Sequence, residues 1–156
     1  PRCDICPLAA RCEARLQGRQ RELPAPRPAK LRPQRLRHAL LVTTAAAVLL
    51  ERRPGHGIWG GLLSLPELTA QSLPEALSEA AHWLAACGIS GGAVQVMAPV
   101  IHGFTHFKLH LVPLRVAVDA RSAFATESSL LWQPLADTTS AALPAPVRRL
   151  LESLDD

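Results

Sequence analysis

Three cysteines stand at the head of the chain: Cys3-Asp4-Ile5-Cys6 is a C-x2-C pair, and Cys12 follows after five residues. Thiolates are soft ligands, and this grouping suits zinc, copper(I) or an iron–sulfur cluster. Three thiolates cannot close a tetrahedral site, so a fourth ligand must come from elsewhere, and the sequence upstream of Pro1 is the obvious source. The plainer reading is a set of structural thiols or disulfides. A disulfide across so short a pair needs an oxidising compartment, and no secretion signal is visible. Cys87 lies alone in an apolar segment and reads as a small buried hydrophobe.

Two further groups carry side chains able to do chemistry. Gly57-Ile58-Trp59-Gly60-Gly61-Leu62 sets one bulky ring among glycines, which points to close backbone packing around an anchor. His102-Gly103-Phe104-Thr105-His106-Phe107 places an aromatic ring, a hydroxyl and an imidazole side by side. His102, His106 and His110 recur at every fourth residue, as a helical metal site would. Gly103 and the β-branched Thr105 favour strands instead, on which all three would share one face if the strand were continuous. No carboxylate stands among them, so a metal site is disfavoured there.

These groups need elements to position them. Ala39–Glu51 reads as one buried strand, and residues 52–61 as a loop rich in glycine and proline. Ser72-Leu73-Pro74-Glu75 is a capping box opening a helix that runs to Cys87, with Gly88 placed to end it. Leu77, Ala80, Ala81 and Leu84 are its expected apolar face. Ala93–His102 and His106–Val118 read as strands joined by a turn at Gly103-Phe104-Thr105, Leu130–Leu135 as a short strand, and Pro144–Leu154 as a last helix. Strand, helix, strands, helix is an α+β order with a mixed sheet.

The 156 residues include 48% apolar and 19% charged side chains, which excludes an intrinsically disordered chain. No apolar run approaches the ~20 residues of a membrane span. Charge is uneven. Residues 1–38 hold nine arginines and Lys30 against Asp4, Glu13 and Glu22, a net +7, whereas the remainder is −3. Residues 18–38 interleave those cations with Pro24, Pro26, Pro28 and Pro33, so they read as an extended basic linker suited to an anionic polymer. Pro1 in place of a methionine reads as a piece of a longer protein.

The order of the motifs carries a resemblance. The run from Pro1 to Cys12 resembles the end of the iron–sulfur loop of endonuclease III-like DNA glycosylases, whose spacing is C-x6-C-x2-C-x5-C. Leu49-Leu50-Glu51-Arg52-Arg53-Pro54, the Trp59 glycine run with Leu65-Pro66-Glu67, the Phe104 segment, Trp132 and Leu143-Pro144-Ala145-Pro146-Val147-Arg148 follow in the order found in MutY-type adenine DNA glycosylases. Those enzymes remove adenine mispaired with 8-oxoguanine, and their C-terminal domain has a fold like the Nudix hydrolases.

The resemblance implies residues 1–17 as the end of a 4Fe-4S cluster loop, 18–38 as the interdomain linker and 39–156 as a Nudix-like domain, a mixed sheet with flanking helices. Cys3, Cys6 and Cys12 would hold the cluster, with the fourth ligand seven residues before Cys3. Phe104, Thr105 and His106 match the family's Phe-Ser-His loop that reads 8-oxoguanine, with threonine in place of serine. Phe104 would wedge beside the base, Thr105 would offer its hydroxyl to the base edge, and His106 would orient the loop or meet a phosphate. Lys30, Arg32, Arg35 and Arg37 would meet the DNA backbone, joined by Arg2, Arg11 and Arg15 of the cluster loop. The implied partner is double-stranded DNA bearing 8-oxoguanine opposite adenine, bound by a cytoplasmic, nucleoid-associated bacterial monomer with no membrane attachment. The helix-hairpin-helix and the catalytic carboxylates would lie in an N-terminal domain, so no catalytic residue is expected here.

The Nudix box is G-x5-E-x7-R-E-U-x-E-E. Gly61 and Glu67 fit its start, but Glu75 stands for the arginine and Ala76 and Ala80 for two acids. Glu67 and Glu79 are too few to hold Mg²⁺ against phosphates, which leaves a binding role. The rival is an active Nudix-type hydrolase of oxidised nucleotides with a metal-binding tail, and a third reading is a cysteine-motif transcription or interaction module.

Overall fold

The computed structural model describes residues 1–25, 31–90, 92–119 and 129–154. The chain forms two compact units, Pro1–Leu31 and Arg32–Asp156. The first unit is a run of short turns: 3-10 turns at Cys3–Ile5 and Ala9–Arg11, then a single helical turn, α1, at Glu13–Leu16. It buries no residue in these elements, and Ile5, Leu8 and Leu16 stay exposed.

The second unit is built on a mixed sheet. Strands β1 (Gln34–Thr43), β2 (Ala47–Arg52), β3 (Leu63–Ser64) and β4 (Glu67–Leu68) precede helix α2 (Leu73–Ala86). Strands β5 (Gln95–Val96), β6 (Val100–Gly103), β7 (Lys108–Ala117) and β8 (Leu130–Pro134) precede helix α3 (Ala145–Glu152). The long strands β1 and β7 run parallel at its centre, in register from Gln34–Lys108 to Thr43–Ala117. β5 and β6 both pair antiparallel with the far side of β7, while β2 pairs with β1, β3 and β8.

Alternation along the strands feeds two cores. Ala39, Leu41, Val48, Leu50, Leu109 and Leu111 face Val147, Leu150 and Leu151 of α3. Leu40, Val42, Leu49, Leu114 and Val116 face Ala76, Ala80 and Leu84 of α2. Successive strand residues point to opposite faces, so the near-continuous apolar stretch of β1 means both sides are covered.

The expected α+β mixed sheet with flanking helices is what forms, and the capping box of Ser72 and Glu75 opens α2 with Gly88 (φ +66°) after it. Several boundaries differ. Ala39–Glu51 is a hairpin rather than one strand. The Thr44 hydroxyl accepts the N–H groups of Ala46 and Ala47 at 3.2 and 3.0 Å and turns the chain, as threonine side chains do in competition with a ladder. β1 begins at Gln34, inside the stretch read as linker, because Arg35 to Ala39 pair with β7. The expected strand over 93–102 is two short strands, broken where Pro99 can offer no N–H. On α2 the buried face is Ala76, Ala80 and Leu84, with Leu77 half-buried and Ala81 exposed.

Candidate functional site

The turn from Phe104 to Phe107 joins β6 to β7 and is closed by the Phe104 N–H donating to the Phe107 carbonyl at 2.9 Å. Thr105 and His106 are exposed at its apex. The Phe104 ring folds back instead. It stacks on Phe107 (centroids 4.6 Å, 23°), takes the edge of His102 (4.7 Å, 81°) and lies 5.9 Å from Trp59. The cluster caps the α3-side core. The structure thus unites Phe104, Thr105 and His106 in one turn, with a hydroxyl and an imidazole displayed on an aromatic base.

The three histidines do not converge. His102 is opposite Leu109 in the β6–β7 register and shares its face, and His106 is on the turn. His110 points to the other face, next along β7 from Leu109, and its Nε2 is buried without a partner in the described structure. The turn breaks the strand continuity that would have put all three on one side.

Cations surround this end of the sheet. Arg35 and Arg37 project from β1 on the side of Ala39 and Leu41, and the Arg35 guanidinium lies 4.3 Å over the Phe107 ring. Arg32 donates to the Phe104 carbonyl at 3.4 Å. Lys108 follows the turn and is exposed, as are Arg32 and Arg35, while Arg37 is half-buried. Lys30 lies outside the described residues. Sequence reasoning missed that Arg35 touches the aromatic group. Its only signal was the period-2 pattern continuing upstream of Ala39.

The acids at the Nudix-box positions are all engaged within the fold. The Glu67 carboxylate pairs with Arg53 at 2.9 Å. Glu75 accepts the Ser72 N–H at 3.3 Å at the start of α2. Glu79 accepts the Thr69 N–H and hydroxyl, both at 2.9 Å, and the Ala70 N–H at 2.8 Å. The Thr69 N–H above all holds the Glu79 carboxyl below its ordinary range, with burial opposing it and Ala70 assisting. The Ala70 carbonyl in turn meets Nδ1 of the buried His38 at 3.2 Å. Ala76 and Ala80 are 0% exposed.

In the first unit, Cys3, Cys6 and Cys12 are free thiols bordering one cavity of about 250 Å³, which Pro1, Arg2, Ala14, Gln20 and Leu23 complete. The Arg15 guanidinium fixes its rim by donating to the Cys3 carbonyl at 2.7 Å. Among the described residues no three His, Cys, Asp or Glu side chains stand close enough to hold a single ion. Cys87 is half-buried at the end of α2, packed against the core on that side.

A family model described as a NUDIX domain matches residues 37–153. The chain belongs to the NUDIX domain family. Within this NUDIX domain Glu75 to Ala80, the later positions compared with the box above, lie on α2, and the matched span reaches from β1 through α3. The adenine DNA glycosylase of Buchnera aphidicola subsp. Acyrthosiphon pisum (strain APS) is 27% identical over 154 residues, covering 98% of this chain and 42% of that protein. The chain spans about two fifths of the length of the curated relatives it matches. Among solved structures, the C-terminal domain of mouse MUTYH, in complex with human PCNA, superposes with a TM-score of 0.61 at 22% identity, over 78% of this chain and 87% of that one. Shewanella oneidensis NrtR complexed with a 27mer DNA gives 0.60 at 20% identity, over 75% and 58%. At these identities the superpositions establish the fold. No described helix is long and apolar enough to cross a membrane.

Proposed function

We propose that this NUDIX domain is the lesion-recognition part of an adenine DNA glycosylase, which excises adenine opposite 8-oxoguanine in base excision repair. The observation that carries a binding rather than a hydrolytic role is the engagement of Glu67, Glu75 and Glu79 by Arg53, Ser72, Thr69 and Ala70. A pyrophosphohydrolase needs such carboxylates turned toward Mg²⁺. The curated relatives, named adenine DNA glycosylases along nearly the whole of this chain, supply the reaction. The acids that break the glycosidic bond belong, on this reading, to polypeptide beyond these residues.

Recognition falls to the β6–β7 turn. Thr105 offers a hydroxyl that both donates and accepts, which suits a base edge differing from guanine by an added carbonyl and N–H. His106 beside it meets the base or its phosphate, and the Phe104 group beneath supplies an apolar surface against the stack. Arg32, Arg35, Arg37 and Lys30 hold the backbone through charge, adding affinity without sequence information.

Cys3, Cys6 and Cys12 suit a 4Fe-4S cluster, with a fourth ligand upstream. What supports this reading is the softness of three thiolate donors bordering one cavity. Such a cluster would supply rigidity when bound, while the positive charge of this unit comes from its arginines. Around it Arg15 braces the Cys3 carbonyl, and Arg2 and Arg11 lie exposed toward phosphates.

The test is direct. Fluorescence anisotropy of the 156-residue chain on matched duplexes should show tighter binding with 8-oxoguanine opposite adenine than with guanine. Incubation with 8-oxo-dGTP and Mg²⁺ should release no pyrophosphate. Turnover of the nucleotide would establish the hydrolase instead, and binding indifferent to oxidation would favour a general interaction module.

A further inference from the structure

Trp59 is the one non-glycine residue with positive φ among the described residues, at +58°. The left-handed region is unfavourable for any side chain bearing a Cβ, and a bulky ring there is a genuine outlier. The loop around it is wound tightly enough to hold that conformation. Gly57 (+82°) and Gly61 (+76°) take left-handed turns on either side. Gly60 lies so near Gly55 that a Cβ would fall 3.0 Å from that residue's carbonyl carbon and oxygen. The Leu62 N–H donates to the Trp59 carbonyl and the Gly61 N–H to that of Pro54, both at 3.0 Å.

Nothing in the closure of this loop calls for an indole, since glycines make its other left-handed turns. What the conformation achieves is delivery of the ring. Trp59 lies 5.9 Å from Phe104 and 6.2 Å from His102. His102 and Phe107 come from the same two-strand unit as the turn itself. Arg32 and Arg35 reach the turn from the start of β1 as cations; Trp59 ties its aromatic group to a further element, the loop between β2 and β3. Strain kept at a single residue that delivers its ring to the recognition turn is the pattern that marks a functional position.

We infer that Trp59 is a positioning residue that sets lesion specificity: its left-handed backbone presses the indole against Phe104 and fixes the pose in which Thr105 and His106 meet the base. This deepens the recognition reading above and rests on it. Trp59 acts through Phe104, so the two side chains must be coupled.

The experiment is a double-mutant cycle on the whole chain, reading the ratio of affinities for 8-oxoguanine-containing and undamaged duplexes. Trp59→Asn removes the ring while keeping a residue tolerant of positive φ. It should lower the ratio by roughly 2- to 10-fold, the scale of one aromatic pair. Trp59→Phe should restore most of it. Phe104→Ala should lower the ratio too, and the double variant should do no worse than Phe104→Ala alone. A merely structural role for Trp59 weakens both affinities together and leaves the ratio unmoved. Melting curves check folding, and Trp59→Leu replaces the asparagine variant should that one unfold. An unchanged ratio in Trp59→Asn with a lowered one in Phe104→Ala overturns the positioning role alone. Additive losses overturn it also, since Trp59 would then touch DNA itself. No effect from Phe104→Ala, or no preference in the unaltered chain, overturns the recognition reading beneath it.

Discussion

The Glu79 carboxylate closes on Thr69, accepting both its backbone N–H and its side-chain hydroxyl at 2.9 Å, so an acid at a Nudix-box position serves as the latch between α2 and the end of β4. The latch makes a pH prediction. The folded-state pKa of Glu79 is lowered, so the unfolded chain binds the proton more readily and stability rises with pH through that interval. The contribution is complete above the ordinary glutamate value of about 4.3 and is lost as pH falls through the lowered one. Glu79→Gln should therefore flatten the acid limb of the stability curve. Urea denaturation across the acid range, comparing the variant with the parent, checks this.

The two alanines in the box make the complementary case. Ala76 and Ala80 are fully buried against the sheet, where a carboxylate would have no partner. Ala80→Glu should cost about 3 kcal/mol or more, lowering Tm by roughly 10 °C, without creating Mg²⁺-dependent nucleotide turnover. Calorimetry and a pyrophosphate assay read the two halves. A stable variant that gains turnover would show that the alanines alone separate this chain from a hydrolase.

What the sequence disclosed and concealed follows from the range of each interaction. The capping box, the Gly88 terminator and the stripe of Val147, Leu150 and Leu151 were legible because they depend on neighbours within a few residues. The hairpin at Thr44 was hidden because apolar residues on both sides run through it without alternation, as they do in a strand covered on both faces. The Phe104 turn was found from its residue types, but not the contact of its ring with Trp59, which reaches it from more than forty positions upstream. The pairing of Glu67 with Arg53 was equally out of reach, although the departures from the box already argued against hydrolysis.

The basic residues should separate by role. Arg37→Ala should weaken binding to oxidised and undamaged duplexes alike, and Arg32→Ala, which also removes the donor to the Phe104 carbonyl, should weaken both and lower the preference slightly. Each should also reduce the slope of log K against log salt by about 1 where a phosphate contact is lost. Arg35→Ala should in addition lower the preference for 8-oxoguanine, because its guanidinium lies on Phe107 and Phe107 stacks on Phe104. Arg35→Lys should keep the charge and recover only part of the preference, since an ammonium lacks the flat face of the guanidinium. Salt titrations of binding on both duplexes distinguish the outcomes.

Arg148 tests how far support for the turn extends. Its guanidinium donates to the carbonyls of Thr138, Thr139 and Ala141 at 3.0, 2.8 and 2.9 Å, pinning the segment before α3. The next carbonyl, of Ala142, accepts the Leu63 N–H at 3.0 Å, and Leu62 beside it closes the Trp59 loop. Arg148→Ala leaves these carbonyls without their donor and should cost about 2–3 kcal/mol. Arg148→Lys should recover little, because one ammonium cannot reproduce the planar fork. If the chain of contacts from α3 to the Trp59 loop is as rigid as its hydrogen bonds imply, hydrogen exchange at Leu62 and Leu63 should quicken in Arg148→Ala while that of the β1–β7 ladder follows only the global loss of stability. Equal acceleration at both places would show that Arg148 stabilises the domain without bracing the loop that carries Trp59.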